Sequence, residues 1–473
     1  MSKTFQPPPG TRDFYPDQMA LRRYIEDTWR RVSLRHGFLE VDGPTYEFLD
    51  LYKVKSGDEI VSQLFHFESR GEDAHEFALR PEFTPTLARM IAAKANSLPR
   101  PIKWFCIPRC YRAERQQKGR LKEFFQWNVD MLGGETPEAK RQFDLETAAL
   151  CLGCLREFGF TNADIQLLWN DRQMVEELFQ FGGVPKERYA FAFYLLDRVA
   201  KLSPQQRGAL YTENSLTERE RTFFEQLANG EDPLKADFWK STAGINPDAF
   251  AQTVAARQEQ IDKTLGHMGL ASFAKYDASI VRGLAYYTGF VFEVADTSGQ
   301  NRAVAGGGRY DKLIEMFGGP SLPAVGFGMG DVVLAILLEE KGKLPALAGA
   351  SGQGVDVYVV NGLSSQDEAI RICAALRAST WNEATKRVLP QNAGLSVATS
   401  YKTTKNIGKL MQDASASGAK VAVILGQAEW DRGVAKIKNL QTREETEVLA
   451  AEIVSRVRST LAGLSANHVN TSL

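Results

Sequence analysis

The chain has 473 residues, enough for two to four domains of about 100–200 residues and for a large core held without disulfides or metal. A hydrophobic fraction of 44% beside 24% charged residues fits a globular protein, and the formal net charge of -1 excludes a histone-like polycation. Five cysteines, an odd and sparse set, fit a reducing compartment better than a disulfide framework.

The N-terminal stretch MSKTFQPPPGTRDFYPD carries prolines and acids where a signal peptide needs an apolar run, so neither a signal nor a transit peptide is expected. No apolar run of about 18 residues appears, so no membrane span is expected and the cytoplasm is the default. MALRRYIEDTWRRVSLRHGF places apolar residues at helical spacing and ends at a C-cap near His36 and Gly37. FLEVDGPTYEF alternates like a strand and is interrupted by Pro44. HEFALRPEFTPTLARMIAAKAN reads as a strand, a Pro-marked turn and a helix from about Thr84 or Pro85. PIKWFCIPRCYRAE and LKEFFQWNVDMLG are strands joined by QQKGR into a long antiparallel hairpin.

TPEAKRQFDLETAALCLGCLREFGF is a helix. Its Cys151 and Cys154 lack a second CxxC or a nearby His pair and are read as structural. Residues 170–268 turn charged, helical and loop-broken, and look like an insertion. Strand patterns return in ASIVRGLAYYTGFVFEVAD, RAVAGGGRYDKLI and LPAVGFGMGDVVLAILLEEKG. The small-residue stretch LPALAGASGQG, 344–354, reads as a linker. Beyond it, strand and helix alternate over 355–465, the pattern of a compact α/β domain with a mostly parallel sheet. Residues 466–473 read as a disordered tail.

The hairpin carries the chemistry. Residues 109–122 hold Arg109, Arg112, Arg115, Lys118, Arg120 and Lys122. A basic hairpin is commonly a solvated edge that blocks aggregation. Here Arg112 and Glu114, two apart on one strand, are expected to share a face, as are Gln126 and Asp130 on the returning strand. A guanidinium fork suits a phosphate, an amide and a carboxylate suit an ammonium or a ring N–H, and a basic tip suits a nucleic-acid end. Together these point to amino-acid activation.

YRAERQQKGRLKEFFQWNVDMLG resembles motif 2 of class II aminoacyl-tRNA synthetases, in the form used by histidyl-tRNA synthetases, with Gln116 where that family usually has Pro. The likeness continues through Gly10 to Asp13, GFLEVDGPTYEF (motif 1, with Pro44 in place), ALRPEFTPTLAR, IVRGLAYYTGFVFE, AGGGRYDKL and the C-terminal α/β unit. It covers nearly the whole chain. The fold it implies is an α+β catalytic core, the class II antiparallel sheet with flanking helices, in two parts (1–169 and 269–343). A helical insertion (170–268) separates them, and an α/β anticodon-binding domain follows the linker. It also implies a homodimer built through motif 1, ATP with Mg2+ carried on its phosphates, and L-histidine and tRNA(His) as partners.

By this resemblance Arg112 and Arg282 clamp the α-phosphate. Glu82, Phe83, Thr84 and Gln126 lie around the histidine ammonium. Asp130, Tyr286 and Tyr287 line the imidazole pocket, and Glu114 and Arg120 serve ATP. No protein-held metal is implied. Two positions depart from the pattern: Ala285 stands for a common Asp, and Val332 and Val333 stand for the Glu-Arg pair of motif 3. Arg309 is a candidate substitute for the lost arginine at ATP. These departures give weight to a second reading, an impaired paralogue that senses histidine or tRNA or regulates histidine biosynthesis. A synthetase for threonine, proline or glycine is a third. The full C-terminal domain argues against the second, and RGLAYYTG with QWNVD against the third. Lys402, Lys405 and Lys409 fit either an anticodon-stem contact or a solvated helix face.

Overall fold

The computed structural model describes residues 5–469 apart from 57, 71–73, 116, 200–201, 241–245, 247, 281–286 and 345–353. The chain forms two compact units, Met1–Asp13 with Arg22–Leu344 and Phe14–Leu21 with Pro345–Leu473.

The first unit is built on a nine-stranded sheet. Its strands are β1 (Leu39–Glu40), β2 (Ile102–Cys106), β3 (Arg109–Tyr111), β4 (Glu123–Leu132), β5 (Ile165–Asp171), β6 (Ala274–Tyr276), β7 (Phe290–Asp296), β8 (Ala305–Arg309) and β9 (Ala324–Gly330). Across the sheet the order is β1-β2-β4-β9-β8-β7-β5-β6, with β3 also pairing β4. Neighbours from β2 to β5 are antiparallel, and the outer strands β1 and β6 are parallel to theirs.

Strand β4 shows how the sequence sets the layers. Successive side chains alternate in face. Phe125, Trp127, Val129 and Met131 are buried on the back. There Trp127 stacks on Trp29 of helix α1 (Pro16–Arg35), with ring centroids 6.0 Å apart, and its Nε1 donates to Ser33 Oγ at 3.0 Å. Helix α1 buries Ile25, Trp29 and Val32 at helical spacing and stops before Gly37, whose φ of 75° suits a residue without Cβ. Gln126, Asn128 and Asp130 take the other face. The interruption at Pro44 is a change of sheet: Leu39–Glu40 joins β2, whereas Tyr46–Phe48 pairs with Glu76–Leu79 in a separate three-stranded sheet.

Helix α2 (Thr84–Lys94) starts with Pro85 in its first turn and buries Leu87, Ala88 and Ile91. Helix α3 (Pro137–Glu157) is capped by Thr136, whose side chain accepts from Ala139 N. Cys151 and Cys154 lie buried on it, and burial pushes both thiols up. Between β5 and β6 lie α4 (Arg172–Gly182), α5 (Tyr189–Arg198), α6 (Pro204–Glu213), α7 (Glu218–Ala228) and α8 (Ala249–Gly266). Buried Phe179, Phe193, Phe223, Phe224, Trp239 and Phe250 supply an aromatic core for these helices.

Helix α9 (Asp331–Glu340) leaves β9 directly. Its first residue, Asp331, is 5% exposed and ties three segments together. It accepts from Arg12 Nη2 at 2.7 Å and from Phe125 N at 2.9 Å, and so joins the N-terminal arm and β4 to the helix start. Gly10 O receives Lys122 N at 2.9 Å in the same region.

The second unit has a five-stranded sheet of β10 (Val357–Asn361), β11 (Val397–Thr399), β12 (Val421–Leu425), β13 (Val434–Asn439) and β14 (Glu445–Leu449), in the order β11-β10-β12-β13-β14. The sheet is mixed rather than mostly parallel: β11, β10 and β12 are parallel, and β13 and β14 continue antiparallel. Val357 and Val359 pack with helices α10 (Asp367–Arg377) and α12 (Ile453–Val469), while Tyr358 and Val360 pack with α11 (Ile407–Ala416). Burial on both faces explains why VYVV reads as an unbroken apolar run. Helix α12 runs to Val469, across the 466 boundary at which the sequence suggests a disordered tail.

Replacing Asp331 with Ala strands the Phe125 N–H and removes the partner of Arg12. A loss of about 1–3 kcal/mol is expected as a lower urea midpoint, with faster hydrogen exchange at the Phe125 amide. Unchanged exchange there would show that this carboxylate does not hold the start of β4.

Candidate active site

A cleft of about 790 Å³ opens on the front face of the large sheet. Its floor is glycine. Gly326, Gly328 and Gly330 of β9 stand opposite Asp130, Asn128 and Gln126 of β4, and Gly308 and Gly306 of β8 stand beside Gly326 and Gly328. The polar side chains of β4 lie over this floor. A Cβ on Gly328 would sit 2.0 Å from Gln126 Nε2, and one on Gly326 would sit 2.3 Å from Asp130 Oδ1. From the opposite side Tyr287 covers Gly308, and the Glu293 stem lies over Gly306, 3.0 and 3.5 Å from a Cβ at each. Side chains on these two strands would fill the trough.

Farther along the same face of β4 Asp130 is 3% exposed and accepts a hydrogen bond from the Tyr310 hydroxyl. Burial raises the Tyr287 hydroxyl above its ordinary range, and Glu82, Asp130 and Glu293 raise it further, so this group stays a protonated donor. Gln126 Oε1 is buried with no hydrogen-bond partner among the described residues, which leaves an acceptor for a ligand donor. At the open end the Arg112 guanidinium lies over the Phe124 ring at 5.0 Å, with no carboxylate partner among the described residues. The six basic side chains of the hairpin are not equivalent. Arg109 pairs with Glu123 at 3.4 Å, Lys118 with Glu340 at 3.0 Å, and Arg120 with Glu114.

Several expected residues meet here. Arg112, Arg120, Gln126 and Tyr287 line the cleft, and Val332 and Val333 form an uncharged part of its wall. Glu82 is half-buried and close enough to act on Tyr287, and Thr84 is the first residue of α2. Arg282, Ala285 and Tyr286 lie outside the described residues, as does Gln116.

Three expectations are corrected. Arg112 and Glu114 do not sit on a strand: β3 ends at Tyr111, although Arg112 N still donates to Lys122 O at 2.8 Å. Phe83 is fully buried in the core around Leu87 and Ile91, so its ring cannot contact a ligand. Arg309 is 4% exposed and faces away from the cleft, because it follows Gly308 on β8 and neighbours alternate. Its Nε donates to Asp144 at 2.9 Å, Nη1 to Asp311 at 2.9 Å and Nη2 to Lys140 O at 2.7 Å, so the guanidinium is committed to this buried network.

Sequence reasoning missed three cleft residues: Phe124, Glu293 and Arg302. Glu293 had a signal, a lone charge inside the apolar strand FVFEVAD, and Phe124 stood two residues before Gln126 on the same alternation. Arg302 lies in a loop and had none.

Comparison with known proteins gives one family. The family profile described as histidyl-tRNA synthetase matches residues 10–331, and that of the anticodon binding domain matches residues 357–460. The chain is 40% identical to a histidine–tRNA ligase of Opitutus terrae over 465 residues, 96% of this chain and 98% of that protein. It is 33% identical to the chloroplastic/mitochondrial histidine–tRNA ligase of Arabidopsis thaliana, over 94% of this chain and 85% of that one. The histidyl-tRNA synthetase structure from Nostoc superposes with a TM-score of 0.69 at 23% identity, covering 97% and 100% of the two chains.

The buried Arg309–Asp144 pair predicts a pH-dependent defect. Burial holds the Asp144 carboxyl up at about 7 even with Arg309 beside it. Arg309→Ala leaves that carboxylate buried and alone, and a loss of about 3–5 kcal/mol is expected. A raised folded-state pKa makes stability fall as pH rises, so the loss in urea midpoint is larger at pH 8 than at pH 5. An equal loss at both would show that Asp144 is not the group left uncompensated.

Proposed function

The chain belongs to the histidyl-tRNA synthetase family, and on that footing we propose how its cleft supports ATP-dependent ligation of histidine to tRNA(His). The observation that carries the reading is the trough itself. Arg112, with no carboxylate partner among the described residues, lies over Phe124 at one end, and buried Asp130 stands farther along the same face of β4. Six residues of strand span about 20 Å, room for a nucleotide and an amino acid laid end to end.

Histidine enters the deep end. Its imidazole N–H donates to Asp130, which Tyr310 orients, and Tyr287 closes the pocket over Gly308. Its ammonium donates to Gln126 Oε1, with Glu82 and Thr84 beside it. The carboxylate, already ionised, needs no general base. One of its oxygens attacks the α-phosphorus of ATP, the α–β bond breaks, and pyrophosphate leaves with the bonding pair. Arg112 stabilises the charge that builds on the α-phosphoryl oxygens, and Arg282 belongs to the same step on the family's pattern. The hydroxyl of the 3′-terminal adenosine of tRNA then takes the histidyl group and releases AMP. Among the described residues no three His, Cys, Asp or Glu gather as a metal site. Mg2+ in this reading comes with the ATP phosphates.

In the second unit Lys402 is ion-paired with Asp413 at 2.7 Å. Exposed Lys405 and Lys409, with the Tyr401 ring at 93% exposure, are the groups we assign to the anticodon stem-loop, where bases stack on aromatic rings. The sensor and regulatory readings are not favoured. The match to histidine–tRNA ligases runs through the anticodon-binding domain, which a histidine sensor does not need. Among the described residues no helix is long and apolar enough to cross a membrane, and a cytoplasmic location belongs to this reading.

The three-stranded sheet leaves Tyr46, Phe48 and Phe67 about half exposed around Phe77, Tyr46 edge to face and the other two tilted, with Tyr46 and Phe48 at the end of the motif 1 segment. A patch of this kind marks an interface, and a second copy of this chain is the occupant that motif 1 implies. Sedimentation is expected to give a dimer, and Phe48→Glu with Phe67→Glu a monomer. A monomeric parent chain would remove the homodimer.

Exchange of pyrophosphate into ATP, run with histidine against each other standard amino acid, tests the activity. Exchange with histidine alone is expected, and Arg112→Ala should slow it about 10²–10³-fold. No exchange, with histidine still bound in calorimetry, would restore the sensor.

A further inference from the structure

We propose that Arg302 binds the β- and γ-phosphates of ATP, a contact that rests on the activity proposed above and adds a residue to it. Arg302 lines the mouth of the cleft and is exposed. Its guanidinium has no carboxylate partner among the described residues. Nη2 donates to Gln117 Oε1 at 3.3 Å, an exposed neutral acceptor that a phosphate oxygen can replace.

The residue is held in place by a network that begins at its neighbour. Its neighbour Asn301 donates to Asp296 Oδ2 at 3.0 Å and to Glu340 Oε2 at 2.7 Å. Asp296 is buried, which would raise its carboxyl, but donors from Ser298, Lys341 and Asn301 hold it down at about 2. It is therefore a fixed anion at any working pH. Glu340 also takes Lys118 at 3.0 Å, so one carboxylate anchors both the hairpin tip and the loop that carries Arg302. The tip passes close to both walls of the mouth. Gly119, φ 74°, would place a Cβ 3.1 Å from Val333 Cγ2 and 4.0 Å from Arg302 Cδ.

The charge pattern selects the phosphate tail. Val332 and Val333 offer no cation on their wall, and Arg120 is neutralised by Glu114. Among the described lining residues that leaves Arg112 and Arg302 as guanidinium groups without a carboxylate partner. Arg112 lies over Phe124, the flat ring that suits a purine, and serves the α-phosphate. Arg302 stands at the mouth, where pyrophosphate must leave.

The test uses Arg302→Met, which keeps the stem, and Arg302→Lys. In the exchange assay Arg302→Met should raise KM for ATP and KM for pyrophosphate about tenfold or more and leave KM for histidine unchanged. Calorimetry should show weaker ATP binding and unchanged AMP binding, with Arg302→Lys between the two. The thermal midpoint should not move, because the lost hydrogen bond is to an exposed glutamine. Equal weakening of ATP and AMP would overturn the assignment to the tail, as would unchanged ATP binding. Absence of exchange in the parent chain would refute the activity alone, since calorimetry still reads the Arg302 contact directly.

Discussion

Gly306, Gly308, Gly326, Gly328 and Gly330 stand side by side on two central strands, and their missing side chains give a close-packed sheet a hollow face. Every polar group in the cleft depends on this. Gln126 and Asp130 reach across the floor only because Gly328 and Gly326 leave the space, and Tyr287 lies flat only over Gly308. Glycine in a strand interior is unfavourable by roughly 0.5–1 kcal/mol each relative to alanine, and it packs nothing. The back of the same strands offsets that loss. Val325, Phe327 and Met329 are buried there, and Phe327 meets Trp127 edge-on at 5.0 Å, which continues the aromatic layer to Trp29. One face of the sheet supplies stability and the other supplies room.

Alternation along the strands then assigns neighbours to opposite tasks. Gln126 lines the cleft while Trp127 anchors the sheet. Gly308 floors the cleft while Arg309 fixes helix α3 through Asp144 and Lys140. The Arg309 assignment fails for this reason. An arginine beside three glycines looks like a ligand contact in the sequence, yet period-2 counting from Gly308 places it on the buried side. The same counting placed Gln126 and Asp130 on one face from QWNVD alone, and the break at Pro44 was visible as a proline in an alternating run.

What stayed hidden has physical causes. Arg112 and Glu114 were read as strand residues because the alternation continues past Tyr111, but ladder pairing stops there: Ala113 N donates to Gln63 O and Lys122 N to Gly10 O instead. Phe83 sits between two residues to which the resemblance assigns histidine contacts, and sequence proximity cannot show that its ring turns into the core. In the second unit VAKIKN and ETEVL each interrupt their apolar residues with two charges, so two antiparallel strands have little hydrophobic signature at the sheet edge. Arg302 and its support through Asn301, Asp296 and Glu340 join segments about 40 residues apart, and no local pattern encodes such a contact. Arg282, Ala285 and Tyr286 fall outside the described residues and keep the standing that the motif gives them.

The basic hairpin shows how charge is concentrated. Six cations in fourteen residues would repel one another and bind anions without discrimination if all were free. Ion pairs quench Arg109, Lys118 and Arg120, and the same pairs fix the hairpin: Lys118 to helix α9, and Arg120 back across the turn to Glu114. Among the described residues the Arg112 guanidinium has no such partner; it lies over an aromatic ring and lines the cleft together with apolar Val332 and Val333. A less polar wall lowers the local dielectric, and the field of an unpaired guanidinium strengthens as the dielectric falls. Valine at these two positions leaves that wall without a side-chain charge, so the cations that line the cleft come from the hairpin and from Arg302.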